Sequence, residues 1–154
     1  VRTLDLPPIA FDATSAWKDF FATYNRTPVG DRVAEIVASG DAVQGTVDLV
    51  GLGDAGPWCL LARAVAPRVF KGATACDMAD LAIDDDKVVV ERLYAPGLRR
   101  AGDVATAAWL CADTKLALFR VGDRGLWERL RLPGDVRIES GAWSPEGIAD
   151  HIAG

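Results

Sequence analysis

The sequence predicts a three-layer α/β/α domain built on a mostly parallel sheet of about five strands. Three observations predict it. Short Val- and Leu-rich runs bounded by Gly, Pro or Asp alternate with stretches of helical period. One strand-like run passes through a tight glycine turn directly into a helical pattern. No internal repeat, low-complexity tract or linker divides the chain. Strands alternating with helices of this length indicate right-handed βαβ units, hence parallel strands with helices on the sheet faces.

Five segments read as strands: Val1 to Leu6, stopped by Pro7 and Pro8; Thr46 to Val50, running into Gly51; Arg68 to Phe70, extending toward Cys76; Lys115 to Val121; and Asp135 to Glu139. Helices are expected between and around them. Ser15 to Tyr24 carries Trp17, Phe20, Phe21 and Tyr24 at helical spacing, after Thr14 or Ser15 as N-cap. Asp31 to Ser39 places Val33, Ile36 and Val37 on one face and is closed by Gly40. Trp58 to Ala66 is apolar nearly all round and stops at Pro67, which marks a buried helix. Asp103 to Cys111 is Ala-rich, with Val104, Ala107, Ala108 and Cys111 on one face. Pro145 to Ile152 follows Ser144 as N-cap, with proline at the first helical position. Asp84, Asp85 and Asp86 read as a solvated turn.

The chain of 154 residues fits one domain, residues 1–154, and is long enough to bury a core. It begins at Val1 in a strand-like run with no initiator Met or signal peptide, so the domain is expected to be incomplete at its N-terminus. A formal net charge of -5 with no Lys/Arg stripe argues against nucleic acid as a partner. No apolar run approaches the ~18 residues of a membrane span, so no membrane partner is expected. Cys59, Cys76 and Cys111 lack C-x-x-C spacing and are odd in number, so they read as buried thiols, with no metal site expected.

Most of the functional information lies in Val47-Asp48-Leu49-Val50-Gly51-Leu52-Gly53-Asp54-Ala55-Gly56-Pro57-Trp58. It supports three readings. As a dinucleotide loop, Gly51, Gly53 and Gly56 satisfy G-x-G-x-x-G between a strand and a helix, and Asp77 lies where a ribose-binding acid belongs. Small residues let a pyrophosphate approach the helix N-terminus, although Pro57 removes one N–H from the first turn. As a nucleophile elbow, Gly51 and Ala55 take the small positions, and Gly53 occupies the nucleophile slot without a hydroxyl. As a structural device, the turn allows close strand–helix packing.

The segments Thr23-Tyr24-Asn25-Arg26, Asp31-Arg32-Val33-Ala34-Glu35-Ile36 and Val50 to Trp58 resemble acetyl xylan esterase-like α/β-hydrolases of large bacterial proteins. In those, a Val-Gly-x-Gly-(Asp/Glu)-Ala-Gly-Pro-Trp turn replaces the serine elbow. Tyr94-Ala95-Pro96-Gly97, then Gly102 and an Ala-rich helix, are also similar, so the resemblance spans most of residues 20 to 121. Such domains often lie C-terminal to another module and need not be catalytic. The resemblance implies the C-terminal half of an α/β-hydrolase domain, with Val1 to Leu6 as its fourth strand and the strand before Gly51 as the nucleophile strand. The third strand would lie between those two. Its place would be filled by a second polypeptide or an N-terminal segment, or the sheet would close in another order. A secreted or periplasmic location and a carbohydrate ester ligand fit the same resemblance.

A hydrolase also needs an acid and a base. Asp123, after the Lys115 to Val121 strand, sits where hydrolases often place the acid, and equally reads as a turn aspartate. The loop after the last strand, Ser140 to Ser144, has no His; the single His is His151, in the final helix. Asp54 is a substitute nucleophile candidate, but the helix N-terminus explains it without chemistry. Arg26, Arg99 and Arg100 could bind an anion or a partner, or be surface charges. Trp58 and Trp109 are expected in the core, and Trp127 and Trp143 near the substrate edge. The chain is therefore expected to be a non-catalytic hydrolase-like module, a scaffold or binding domain without cofactor. The alternatives are a carboxylesterase completed by a missing segment or second chain, and a dinucleotide-binding domain using Gly51, Gly53 and Gly56.

Overall fold

The computed structural model describes residues 2–9 and 27–154. Among them the chain forms a four-stranded, wholly parallel sheet with helices on both faces. The elements follow as α1 (Pro28–Asp41), β1 (Leu49–Gly51), α2 (Ala55–Val65), β2 (Thr74–Asp77), α3 (Asp86–Arg92), a 3-10 turn (Arg99–Ala101), α4 (Asp103–Cys111), β3 (Leu116–Phe119), α5 (Arg124–Arg129), β4 (Val136–Ile138) and α6 (Pro145–Ala153). The strands lie side by side in chain order, with Gly51 opposite Cys76, Asp77 opposite Phe119 and Leu118 opposite Ile138.

Alternation along the strands splits the interior in two. Cys76, Leu116 and Leu118 face a large core shared with Trp58, Leu60, Val104, Cys111 and Trp127. Ala75, Ala117 and Phe119 face the other way, toward Trp143 and Ile148 at α6. β2 and β3 are buried at every residue, as expected of inner parallel strands.

The sequence reading of β3, β4 and α6 agrees with this structure, and α4 spans the residues expected. Several expectations are corrected. There are four strands among the described residues, not five. Arg2 to Leu6 forms no strand; Pro7 and Pro8 follow it, and among the described residues no strand pairs with it. The strand expected at Arg68 to Phe70 lies at Thr74–Asp77, because residues 67–69 turn out of α2 after Pro67. Thr46 and Val47 precede β1. Helix α3 arises where an aspartate turn was read: the Asp85 carboxylate accepts from the N–H groups of Lys87 and Val88 at 2.9 and 3.3 Å and caps the helix. The short helix α5 was also not anticipated. Trp127 is fully buried and not at an edge, whereas Trp109 is 55% exposed and not in the core. The helix expected over Ser15 to Tyr24 lies outside the described residues.

Glycines set the approach of α2 to the sheet. A Cβ on Gly56 would stand 1.7 Å from the carbonyl oxygen of Asp77, and one on Gly51 would stand 2.7 Å from the Gly56 Cα. Gly53 has φ +56 with open space around it. Gly56→Ala should therefore cost at least about 3 kcal/mol, because backbone must move. Gly53→Ala should cost about 1 kcal/mol, the left-handed backbone alone. Urea unfolding of the two variants checks this; equal losses would show that α2 can shift.

Candidate functional site

Parallel strands bring their C-terminal ends to one edge, where ligands of open α/β sheets ordinarily bind. Here that edge carries Gly53 and Asp54 after β1, Asp77 ending β2, Arg120 after β3 and Glu139 after β4. Asp77 is its hub. Its Oδ2 accepts from the Gly53 N–H at 3.1 Å, and its Oδ1 accepts from the Ala79 N–H at 2.8 Å. The Arg120 Nε lies 3.0 Å from the same Oδ1, an ionic contact. The Asp77 side chain is nine-tenths buried.

A second ion pair braces the first. The Arg92 guanidinium of α3 donates to Asp54 Oδ1 at 2.7 Å and to the Ala79 carbonyl at 2.9 Å. Ala79, Asp80 and Arg120 all hold left-handed backbone, with φ of 47, 53 and 51. Each such residue costs about 1–2 kcal/mol and persists only where surrounding contacts over-determine it. Sequence reasoning missed Arg92 and Arg120. The signal for Arg120 was its place one residue past the β3 end, beside the β2 end that carries Asp77.

The expected site residues separate into distinct places. Gly51, Gly53, Gly56, Asp54 and Asp77 do come together. The Asp77 carboxylate, however, is occupied by the Gly53 N–H, the Ala79 N–H and Arg120. The acid expected on a ribose and an N–H expected on a phosphate therefore bind each other. Asp54 is held by Arg92 and makes no cap bond to α2. Asp123 caps α5, its Oδ1 accepting from the Leu126 N–H at 3.0 Å, as a turn aspartate would.

His151 lies at the opposite end of the sheet. It borders an open hollow of about 260 Å³ with Lys115, Asp135, Arg137 and Asp150. Lys115 and Asp135 immediately precede β3 and β4, so the hollow is at the N-terminal ends of the strands. Four residues of strand, at ~3.3 Å each, separate it from Gly53 by roughly 10 Å or more. The imidazole packs edge-on to Trp143 at 5.5 Å, and Trp143 stacks on Phe119 at 5.3 Å with Arg137 over its ring at 4.4 Å. Trp143 is thus committed within the protein. The three cysteines are free and buried, and burial pushes Cys59 and Cys111 up to about 12 and Cys76 well above its ordinary value. They are protonated thiols of the core. Arg99 is bound to Asp86 and Asp103, and Arg26 lies outside the described residues.

No described protein family, curated protein or solved structure matches the chain.

Burial holds the His151 imidazole below its ordinary pKa, with help from Lys115 and Arg137. The neutral form is therefore favoured by folding. Its contribution is present above the unfolded pKa of about 6.5 and is lost as pH falls through the folded value. The melting temperature should fall more steeply from pH 7.5 to pH 5 in the wild-type chain than in His151→Gln. Parallel profiles would show that the imidazole is equally well solvated in both states.

Proposed function

We propose that the chain is a non-catalytic α/β-hydrolase-like module that serves as a scaffold or binding domain. The observation that carries this reading is Gly53. It occupies the nucleophile slot of a strand–turn–helix elbow, with a left-handed backbone and open space where a side chain would project. Gly51, where a Cβ would stand 2.7 Å from the Gly56 Cα, meets the packing demand of one small elbow position, and Ala55 takes the other. The turn keeps the shape and lacks the group that would attack an ester.

The surroundings support the same reading. The only histidine is at the far end of the sheet, and Asp123 is spent on a helix cap. The strand order, with β1 at one edge and three strands following in sequence, fits the C-terminal half of the hydrolase-like arrangement that the sequence resemblance implies. β1 has a free edge. Its Leu49 N–H donates to Ala73 at 2.9 Å, so Val50, which is 40% exposed, presents its backbone groups outward. An added strand, from a second polypeptide or an N-terminal segment, would pair there and remove an exposed edge.

The test is activity and ligand binding on the same preparation. Wild-type protein should not hydrolyse a short-chain aryl ester, and NAD or FAD should not raise its melting temperature. Gly53→Ser should fold, restore a hydroxyl to the slot and remain inactive, because no imidazole reaches it. Ester hydrolysis by either protein would overturn the non-catalytic reading. A melting shift with NAD would favour the dinucleotide reading of the glycine turn.

A further inference from the structure

The last helix is held to the sheet by a titratable side chain. Along α6, Pro145–Ala153, His151 alone is buried, at 7% exposure. Gly147, Ile148 and Ile152 are half-buried, and the other positions face solvent. The seat beneath the helix is small: Ala75, Ala117 and Phe119, with Trp143 and Ile148 packed against them. A helix docked on a sheet ordinarily sets Leu, Ile or Val at its most buried position. An imidazole there makes the docking sensitive to a proton.

The surroundings of His151 are set against its charged form. Lys115 precedes β3, Asp135 precedes β4, Arg137 lies in β4 and Asp150 is its neighbour in α6; all four line the hollow beside it. Burial opposes a charge on the ring first, then Lys115 and Arg137. The Thr74 backbone of β2 and Asp135 lean the other way and do not overcome them. Asp135 and Asp150 are exposed, where water screens them. An imidazolium also needs an acceptor for each ring N–H. Nε2 is buried without a hydrogen-bond partner, so its proton would be poorly satisfied there. Trp143 offers no relief, since Phe119 is stacked on it and the Arg137 guanidinium lies over it. Glu139 beyond it is held by Trp143 Nε1 and Arg137.

We infer that α6 is an acid-sensitive latch: neutral His151 holds it on the sheet, and a proton on that ring releases it and uncovers the apolar strip of Ala75, Ala117 and Phe119. The released helix carries an imidazole of ordinary pKa, about 6.5. The docking is full above that pH and is lost as pH falls from there through the lower, docked value. The core on the other face stays unmoved, because its three thiols remain protonated throughout. His151 lies at the opposite end of the strands from the glycine turn, and the latch does not depend on the function proposed for that turn.

Hydrogen exchange of the full chain at pH 7.5 and pH 5, read as protection factors, tests the inference beside an NMR titration of the single imidazole. The amides of residues 148–153 should lose protection at pH 5, while those of α2 and α4 keep theirs. The loss should be roughly tenfold for each pH unit by which the docked ring titrates below about 6.5. His151→Gln, which cannot take a proton, should hold α6 equally at both pH values. Lys115→Gln, a change at a half-buried cation, should raise the His151 pKa and shrink the acid loss. Should His151→Gln fail to fold, the Lys115→Gln comparison stands in its place, and an acid loss as large as in the wild type would then count against the latch. A His151 that titrates at or above about 6.5 would overturn the inference. So would α6 protection that is the same at both pH values, or an acid loss that His151→Gln does not remove. A loss shared at once by α2 and α4 would overturn it too, because the whole domain would then be unfolding.

Discussion

The close approach of α2 to the first two strands is the constraint on which the rest of the structure depends. At Gly56 the helix backbone lies against the Asp77 carbonyl with no room for a methyl group, and at Gly51 the strand also comes too close to the helix for one. This contact fixes the turn between β1 and α2, and with it the position of Gly53. It also brings the end of β2 under the turn, so that the Asp77 carboxylate can receive the Gly53 N–H. Leu60 and Trp58 then enter the large core, where they meet Val104 and Cys111 of α4 and the inner faces of β2 and β3.

From that contact the electrostatics of the rim follow. Three acids, Asp54, Asp77 and Asp80, and two arginines, Arg92 and Arg120, crowd the C-terminal ends of the strands. Taking charge out of water is costly unless it is paired and hydrogen-bonded. Asp77 meets that condition through two backbone N–H groups and one guanidinium. The left-handed residues beside it are what the backbone must adopt to deliver those groups. The glycine turn is thus held by internal polar contacts. That is an arrangement suited to rigidity.

The two faces of the sheet are covered unequally. One carries most of the helices and the large core; the other carries α6 with the Trp143 stack over Phe119 and the alanines of β2 and β3. Small residues at Ala75 and Ala117 give the indole room to lie flat near the sheet. His151 belongs to this second layer. Its place on the buried side of α6 explains why the only imidazole contributes to packing at the far end of the strands and not to the rim.

Local signals in the sequence were enough to determine the α/β class, a parallel sheet, the span of α4, the N-cap of α6 and the glycine turn, whereas the Gly40 expected to close α1 lies inside that helix, which runs to Asp41. The reason is that hydrophobic period, proline and glycine placement, and capping residues act over a few neighbours. Thr27 accepting from the Gly30 N–H and Ser144 accepting from the Gly147 N–H are contacts three residues apart. Tertiary structure alone decided the rest. Arg2 to Leu6 has strand composition but no strand partner among the described residues, and β2 lies past Phe70 because its register is set by β1 and β3. Whether Trp109 or Trp127 is buried depends on which helix lies beneath another element, and periodicity within one helix does not report that. The union of Asp77 with Gly53 and Arg120 joins residues 24 and 43 positions apart. No local pattern encodes such a contact, because it exists only once the strands have aligned their ends.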